Sequence, residues 1–151
     1  MNSILEPTTK NDFVKRIHLL QSNSQRRWGT LSVGQMCCHL SDSLEIALGK
    51  REGGKEPISI IFSLKPSVWI ATSFPWPKGV FFSPKSMNHK NLGSQSEGFD
   101  KDREKLLKLL EEFIQKETNY FPHPMLGNMN SKEWGKMVSR HFDYHLKQFG
   151  V

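Results

Sequence analysis

The sequence predicts an all-α fold, an up-down four-helix bundle with a long connection between its third and fourth helices. Three observations carry this. Apolar residues recur at spacings of three and four along several segments, the period of a helix with one buried face. Capping-box pairs stand at the heads of three of those segments. No convincing hairpin signal joins any two stretches. The 151 residues suit one domain, taken as residues 1–151, and leave little room for a second.

The first helix is predicted from Thr9 to Asn23. Phe13, Ile17 and Leu20 repeat at helical spacing, Thr9 with Asp12 makes a capping box, and Gln21-Ser22-Asn23-Ser24 ends the run. Ser32 with Gln35 opens a second helix, SVGQMCCHLSDSLEIALGK, which stops at Gly49 and the Gly53-Gly54 pair. The stretch from Pro57 to about Thr72 is apolar enough for a buried helix, although its β-branched residues also permit a strand. Pro66 argues for the helix, because proline removes a ladder donor from a central strand but can begin or kink a helix. Between Ser73 and Gly98, with Pro75, Pro77 and Pro84, periodicity is lost. A connection of that length is either a lid or binding loop or a surface excursion with no role. Asp100 to Asn119 is the clearest helix, with Leu106, Leu107, Leu109, Leu110, Phe113 and Ile114 on its apolar face. Phe121-Pro122-His123-Pro124 forces an extended turn. Asn130 with Glu133 opens a last helix that runs to about Gln148. The total is four long helices and a fifth piece.

Composition excludes several classes of function. Ten Phe and four Trp are too many for a disordered chain. The two cysteines are the neighbours Cys37 and Cys38, which very rarely bridge, so a disulfide-built scaffold is excluded and a reducing cytoplasm is expected. MNSILEPTTK lacks the charged start and apolar run of a signal peptide. The most apolar stretch, Ile58 to Thr72, is interrupted by Lys65 and Pro66 and falls short of the ~20 residues of a membrane span. A net charge of +6 and a pI near 9.4 bring nucleic acid to mind. The basic residues are scattered, however, and from Lys101 to Lys116 they alternate with acids as on a solvated helix face. Neither nucleic acid nor membrane is expected as a partner.

The histidines hold the chemical signal. His141 and His145 are four residues apart, so both rings stand on one face of the last helix and can point at one spot, as metal ligands on a helix do. The row Trp134, Val138, His141, His145 and Gln148 or Phe149 is the seam that faces a bundle core. His39 lies mid-way along the second helix, on the row Ser32, Met36, His39, Ser43 and Ile46, with small Ser43 one turn away. Two interpretations stand at this point. Each buried ring is hydrogen-bonded separately to a carbonyl or carboxylate, or the three share a cation with open coordination positions, the arrangement of a catalytic metal. His18 reads as a surface residue and His89 as a loop residue. His123, between two prolines, either stabilises the turn or stands at the mouth of the site. Cys37-Cys38 is read as a pair of small buried hydrophobes, since no neighbouring cation in sequence favours a thiolate. Neither a P-loop nor a G-x-S-x-G or G-x-G-x-x-G motif is present.

Three pieces in order, W-G-T-L-S-V-G-Q-M-C-C-H at Trp28–His39, H-P-M-L-G-N-M-N-S-K-E-W-G at His123–Gly135 and H-F-D-Y-H-L-K-Q-F at His141–Phe149, resemble the DinB-like superfamily, also called YfiT-like metal-dependent hydrolases. Within it they resemble a short subfamily of about this length. The likeness covers nearly the whole chain, apart from Lys55 to Gly98. It implies a four-helix bundle with a divalent metal, often nickel or zinc, held by three histidines, which here would be His39, His141 and His145. It also implies thiol-dependent S-transferase, thiol-dependent isomerase or hydrolase activity on a small-molecule substrate, no DNA binding, and frequent pairing as a homodimer.

Two enzymatic mechanisms follow. A metal-bound low-molecular-weight thiol attacks an electrophile, or a metal-activated water attacks an ester or amide. Hydrolysis usually needs a general base near the water. The seam of His141 and His145 carries no carboxylate, Asp143 lies on another face, and Asp42 and Glu45 are the near candidates on the second helix, which tilts the expectation toward thiol chemistry. A non-catalytic helical binding domain with structural histidines is the alternative from another class.

Overall fold

The computed structural model of the chain describes residues 2–54, 65–79, 85–88, 90–116 and 118–151. Among them are five α-helices, one 3-10 turn and no strand. The helices are α1 (Pro7–Leu19), α2 (Val33–Leu48), α3 (Lys65–Ser73), α4 (Phe99–Lys116) and α5 (Ser131–Gln148), with the 3-10 turn at Lys85–Met87. The all-helical expectation holds for these residues. Five α-helices stand where a four-helix bundle is predicted, and the additional one is the short α3.

Helix starts follow local chemistry. The Ser32 side chain accepts from the Gln35 N–H while the Gln35 side chain accepts from the Ser32 N–H, and Asn130 and Glu133 do the same for α5. Both capping boxes are those the sequence predicts. The third is not formed. Pro7 occupies the first turn of α1, where its missing N–H costs nothing and its fixed φ suits a helix, so the helix begins before Thr9. The same helix ends at Leu19 rather than Asn23, because Gln21 and Ser24 close a turn: the Ser24 N–H donates to the Gln21 carbonyl and the Gln21 N–H to the Ser24 hydroxyl.

Pro66 is the second residue of α3, again where a proline fits a helix start. The predicted helix from Pro57 to Thr72 therefore survives as Lys65–Ser73, and its portion from Pro57 to Leu64 lies outside the described residues. Helix α4 ends at Lys116, short of Asn119. Asn119 takes a left-handed φ of 60°, and the Tyr120 hydroxyl donates to the Phe113 carbonyl of the last turn at 2.9 Å.

The core lies where the apolar faces meet. Met36, Leu40 and Leu44 of α2, Leu106, Leu110 and Phe113 of α4, and Trp134, Phe142 and Leu146 of α5 are fully buried with Phe13 and Ile17 of α1. Helix α2 packs most extensively on α4, while α5 packs on α1, α2 and α3. Phe13 meets Phe142 edge-on with ring centroids 6.0 Å apart. This packing turns the mid-point of α2 toward the C-terminal half of α5. No helix among the described residues is long and apolar enough to cross a membrane.

The connection from Ser73 to Gly98 is not structureless where described. Its 3-10 turn buries Ser86 and Met87, and it is tied to α2: the Ser94 N–H and hydroxyl both donate to the Asp42 carboxylate, and Arg51 donates to the Leu92 carbonyl and the Ser94 hydroxyl.

Candidate metal centre

His39, His141 and His145 are brought together. All three are buried, and one potential ligand atom from each lies within 4.8 Å of the others. Their ring centroids are 4.7 to 5.0 Å apart. The two α5 residues reach this point because a spacing of four sets them one turn apart, and His39 reaches it because α2 crosses α5 at its mid-point.

Hydrogen bonds outside the cluster fix which nitrogens face inward. His39 Nδ1 lies 3.0 Å from the Met87 carbonyl oxygen. A carbonyl only accepts, so Nδ1 carries a proton, and in the neutral ring Nε2 is the nitrogen with the lone pair. That Nε2 is 2.8 Å from His141 Nε2, a contact satisfied by a shared proton or by a cation taking both lone pairs. His145 Nδ1 lies 3.0 Å from Gln148 Oε1, and the Gln148 amide is itself oriented, because its Nε2 donates to the Trp28 carbonyl at 2.6 Å. Gln148 Oε1 must then accept. His145 Nδ1 is the donor, and Nε2 is the nitrogen left for the cluster. Gly29 makes room for this arrangement: its φ is 77°, and a Cβ there would run into the Gln148 amide.

The electrostatics favour neutral rings at His141 and His145. Burial, reinforced by His39 and His145, pushes the His141 pKa well below its ordinary value. Burial, reinforced by His39, lowers that of His145 to about 3, although the Gln148 hydrogen bond opposes the shift. Imidazoles that resist protonation keep their lone pairs for a metal at neutral pH. The donor set fits a divalent first-row ion: three imidazoles, two of them with an outer hydrogen bond that orients the ring. Trp76 and Tyr144 border the cluster, with ring centroids 5.7 Å from His141 and 5.1 Å from His145.

The remaining predicted residues stand elsewhere. His123 is held in its turn, where Nδ1 accepts from the N–H groups of Met125 and Leu126 at 3.1 and 3.2 Å and the ring lies against Trp134. That is the turn-stabilising role. His18 is exposed, and His89 lies outside the described residues. Asp42 is buried and pairs with Arg51 at 2.9 Å. Glu45 pairs with Arg51 and Lys105, and Asp143 with Arg16 and Lys147. No carboxylate joins the three histidines among the described residues. Cys37 and Cys38 are free and buried, and burial together with Asp102 raises both thiols to about 12, so neither is a nucleophile at neutral pH.

Sequence reasoning missed the Met87 carbonyl, which has no side-chain signature, and the part played by Gln148. The latter had a signal, since a glutamine three residues after a histidine shares its helix face.

Residues 2–150 match the family described as "Protein of unknown function (DUF1569)". The chain belongs to the DUF1569 family. That family is DinB/YfiT-like, in keeping with the resemblance carried by Trp28–His39 and the last thirty residues. No curated protein and no solved structure matches the chain. In this DUF1569 chain the match runs through all three cluster histidines as well as Gln148.

Proposed function

We propose that the protein is a divalent-metal-dependent enzyme of the short DinB-like subfamily ending in H-x-x-x-H-L-x-Q-F. In this proposal His39, His141 and His145 hold nickel or zinc, and the reaction is thiol-dependent S-transferase-like chemistry on a small molecule. One observation carries it. Three buried imidazoles from two helices converge, and the outer nitrogens of His39 and His145 are committed to Met87 and Gln148, which keeps the inner ones as acceptors. A bound ion would supply the positive charge that favours the thiolate of a low-molecular-weight thiol at neutral pH. The protein's own residues keep the buried His141 and His145 rings neutral, orient those of His39 and His145 through Met87 and Gln148, and border the cluster with Trp76 and Tyr144.

The engaged carboxylates favour this over hydrolysis. Asp42, Glu45 and Asp143 each already neutralise a cation, so none is a ready general base for an attacking water. Hydrolysis remains the second reading, and a non-catalytic helical domain the third. The proposal also includes α1, α2, α4 and α5 as an up-down bundle that α3 covers, a cytoplasmic setting, and pairing as a homodimer.

Element analysis of protein purified without a histidine tag tests it. Near-stoichiometric nickel or zinc is expected. His141→Ala or His145→Ala should abolish it, and His18→Ala should leave it intact. Metal content that is negligible, or lost equally in all three variants, overturns the assignment. Conjugation of a thiol to an electrophile is then assayed against hydrolysis of activated esters, and turnover that ignores added thiol removes the transferase.

A further inference from the structure

We propose that a recess beside the histidine cluster is a binding site for a small planar organic anion, a carboxylate carried on an aromatic or unsaturated body. As a substrate site it rests on the metalloenzyme proposal, whereas anion binding itself does not.

The recess has a volume of about 210 Å³ and is lined by Trp28, Trp76 and Tyr144 together with Lys78, Arg140 and Lys147. That is below the ~300–1,000 Å³ of drug-sized pockets, so its occupant is small. Its aromatic walls stand close to one another, with Tyr144 6.1 Å from Trp28 and 5.8 Å from Trp76 between ring centroids. Trp76 and Tyr144 are also the rings that border His141 and His145. A molecule held here therefore shares two walls with the candidate metal centre.

The charge of the lining is unbalanced. Its one carboxylate, Asp143, is already shared between Arg16 at 3.1 Å and Lys147 at 2.8 Å. Lys78 Nζ lies 4.8 Å from the centroid of the Trp28 ring, and among the described residues neither Lys78 nor Arg140 pairs with a carboxylate. Arg140 is only 8% exposed. One of its terminal nitrogens donates to the Ser73 carbonyl at 2.9 Å, but its Nε is buried with no hydrogen-bond partner. The indole Nε1 of Trp28 is likewise buried and unpartnered. The other such atoms among the described residues, on Ser41, Ser86 and Trp134, belong to residues that do not line the recess.

The cationic side chains of Lys78 and Arg140 that line the recess are donors without acceptor capacity, so an acceptor is what complements them. A buried guanidinium without a counter-charge is costly, and an anion supplies that charge. Indole and phenol faces suit a flat apolar body. A carboxylate on a planar skeleton meets all three requirements.

The test uses the full-length untagged protein, with tryptophan fluorescence and calorimetric titration by benzoate and by its neutral isostere benzamide. Each titration is run in EDTA and again with zinc. Benzoate is expected to saturate the site at least about tenfold more tightly than benzamide in both conditions, and Lys78→Gln or Arg140→Gln to weaken benzoate about tenfold, the scale of a lost charge-assisted contact. Should the buried Arg140 variant fail to fold, the exposed Lys78→Gln carries the test. Equal affinity for the two probes, no saturable binding of benzoate, or benzoate affinity unchanged by Lys78→Gln overturns the proposal. Zinc uptake by the same samples separates the two assignments. Loss of benzoate binding with zinc uptake intact sinks the anion site alone, and benzoate binding without zinc uptake sinks the metal assignment alone.

Discussion

Gln148 makes two hydrogen bonds that run in opposite directions, and their order matters. The Trp28 carbonyl takes its amide hydrogen, which leaves its oxygen to receive the proton of His145 Nδ1. Outer partners of this kind typically change metal affinity by ~10–100-fold. Gln148→Leu is therefore expected to keep the fold but weaken zinc binding in a competitive chelator titration by that factor, whereas unchanged affinity would show that His145 needs no orientation. His123 is the residue for pH. Burial lowers its pKa from 6.5 to about 4, so the unfolded chain binds the proton more readily than the folded one. Its contribution to stability is full above about pH 6.5 and falls away as the pH drops toward 4, by ~3 kcal/mol in all. Burial of His141 and His145 works in the same direction. In EDTA, urea unfolding at pH 7 and pH 4.5 should show a smaller acid loss for His123→Asn than for the native chain. The identity of the three cluster histidines was legible at this scale because helical spacing is a property of the sequence. Their outer partners were not, since the Met87 carbonyl is a backbone group forty-eight residues away from His39.

At the scale of elements, the capping boxes of α2 and α5 were readable because the interaction closes within four residues. The Thr9 box was not formed, because Pro7 had already set the start of α1 two residues earlier. Ser32 is exposed, so its contribution is mainly the cap itself. Ser32→Ala should cost about 1 kcal/mol, read as a fall of ~2–4 °C in Tm for a chain of this size, with metal stoichiometry unchanged. The connection after Ser73 shows the other side. It lacks periodicity, yet it supplies the Met87 carbonyl to His39 and is anchored through Ser94 to the Asp42 carboxylate. Those ties join positions about fifty residues apart, and no local pattern announces them. Pro66 lies between the two cases. It favours a helix in the sequence because a proline fits a helix start, and it stands as the second residue of α3.

At the scale of the molecule, the cluster joins the middle of α2 to the end of α5, so a metal that binds only the folded state should stabilise the whole. Zinc at about a hundred times its Kd adds ~2.7 kcal/mol, which corresponds to a rise of ~5–10 °C in the Tm of EDTA-treated protein. A His39→Ala variant should show no such rise, and an equal rise in both would place the metal elsewhere.

Legible in the order of residues alone were the helical character of the chain, the apolar faces, the seam that carries His141 and His145, and the place of His39 at the edge of the seam of α2. Periodicity, caps and i, i+4 geometry are local and need no knowledge of the rest of the chain. Packing alone brings α2 and α5 together at those histidines, turns particular nitrogens inward, pairs the nearby carboxylates with cations, and sets Arg140 and Trp28 beside a small cationic recess. Each of those facts depends on groups tens of residues apart meeting in a close-packed interior, where burial sets both the protonation of a ring and the cost of a polar atom left without a partner.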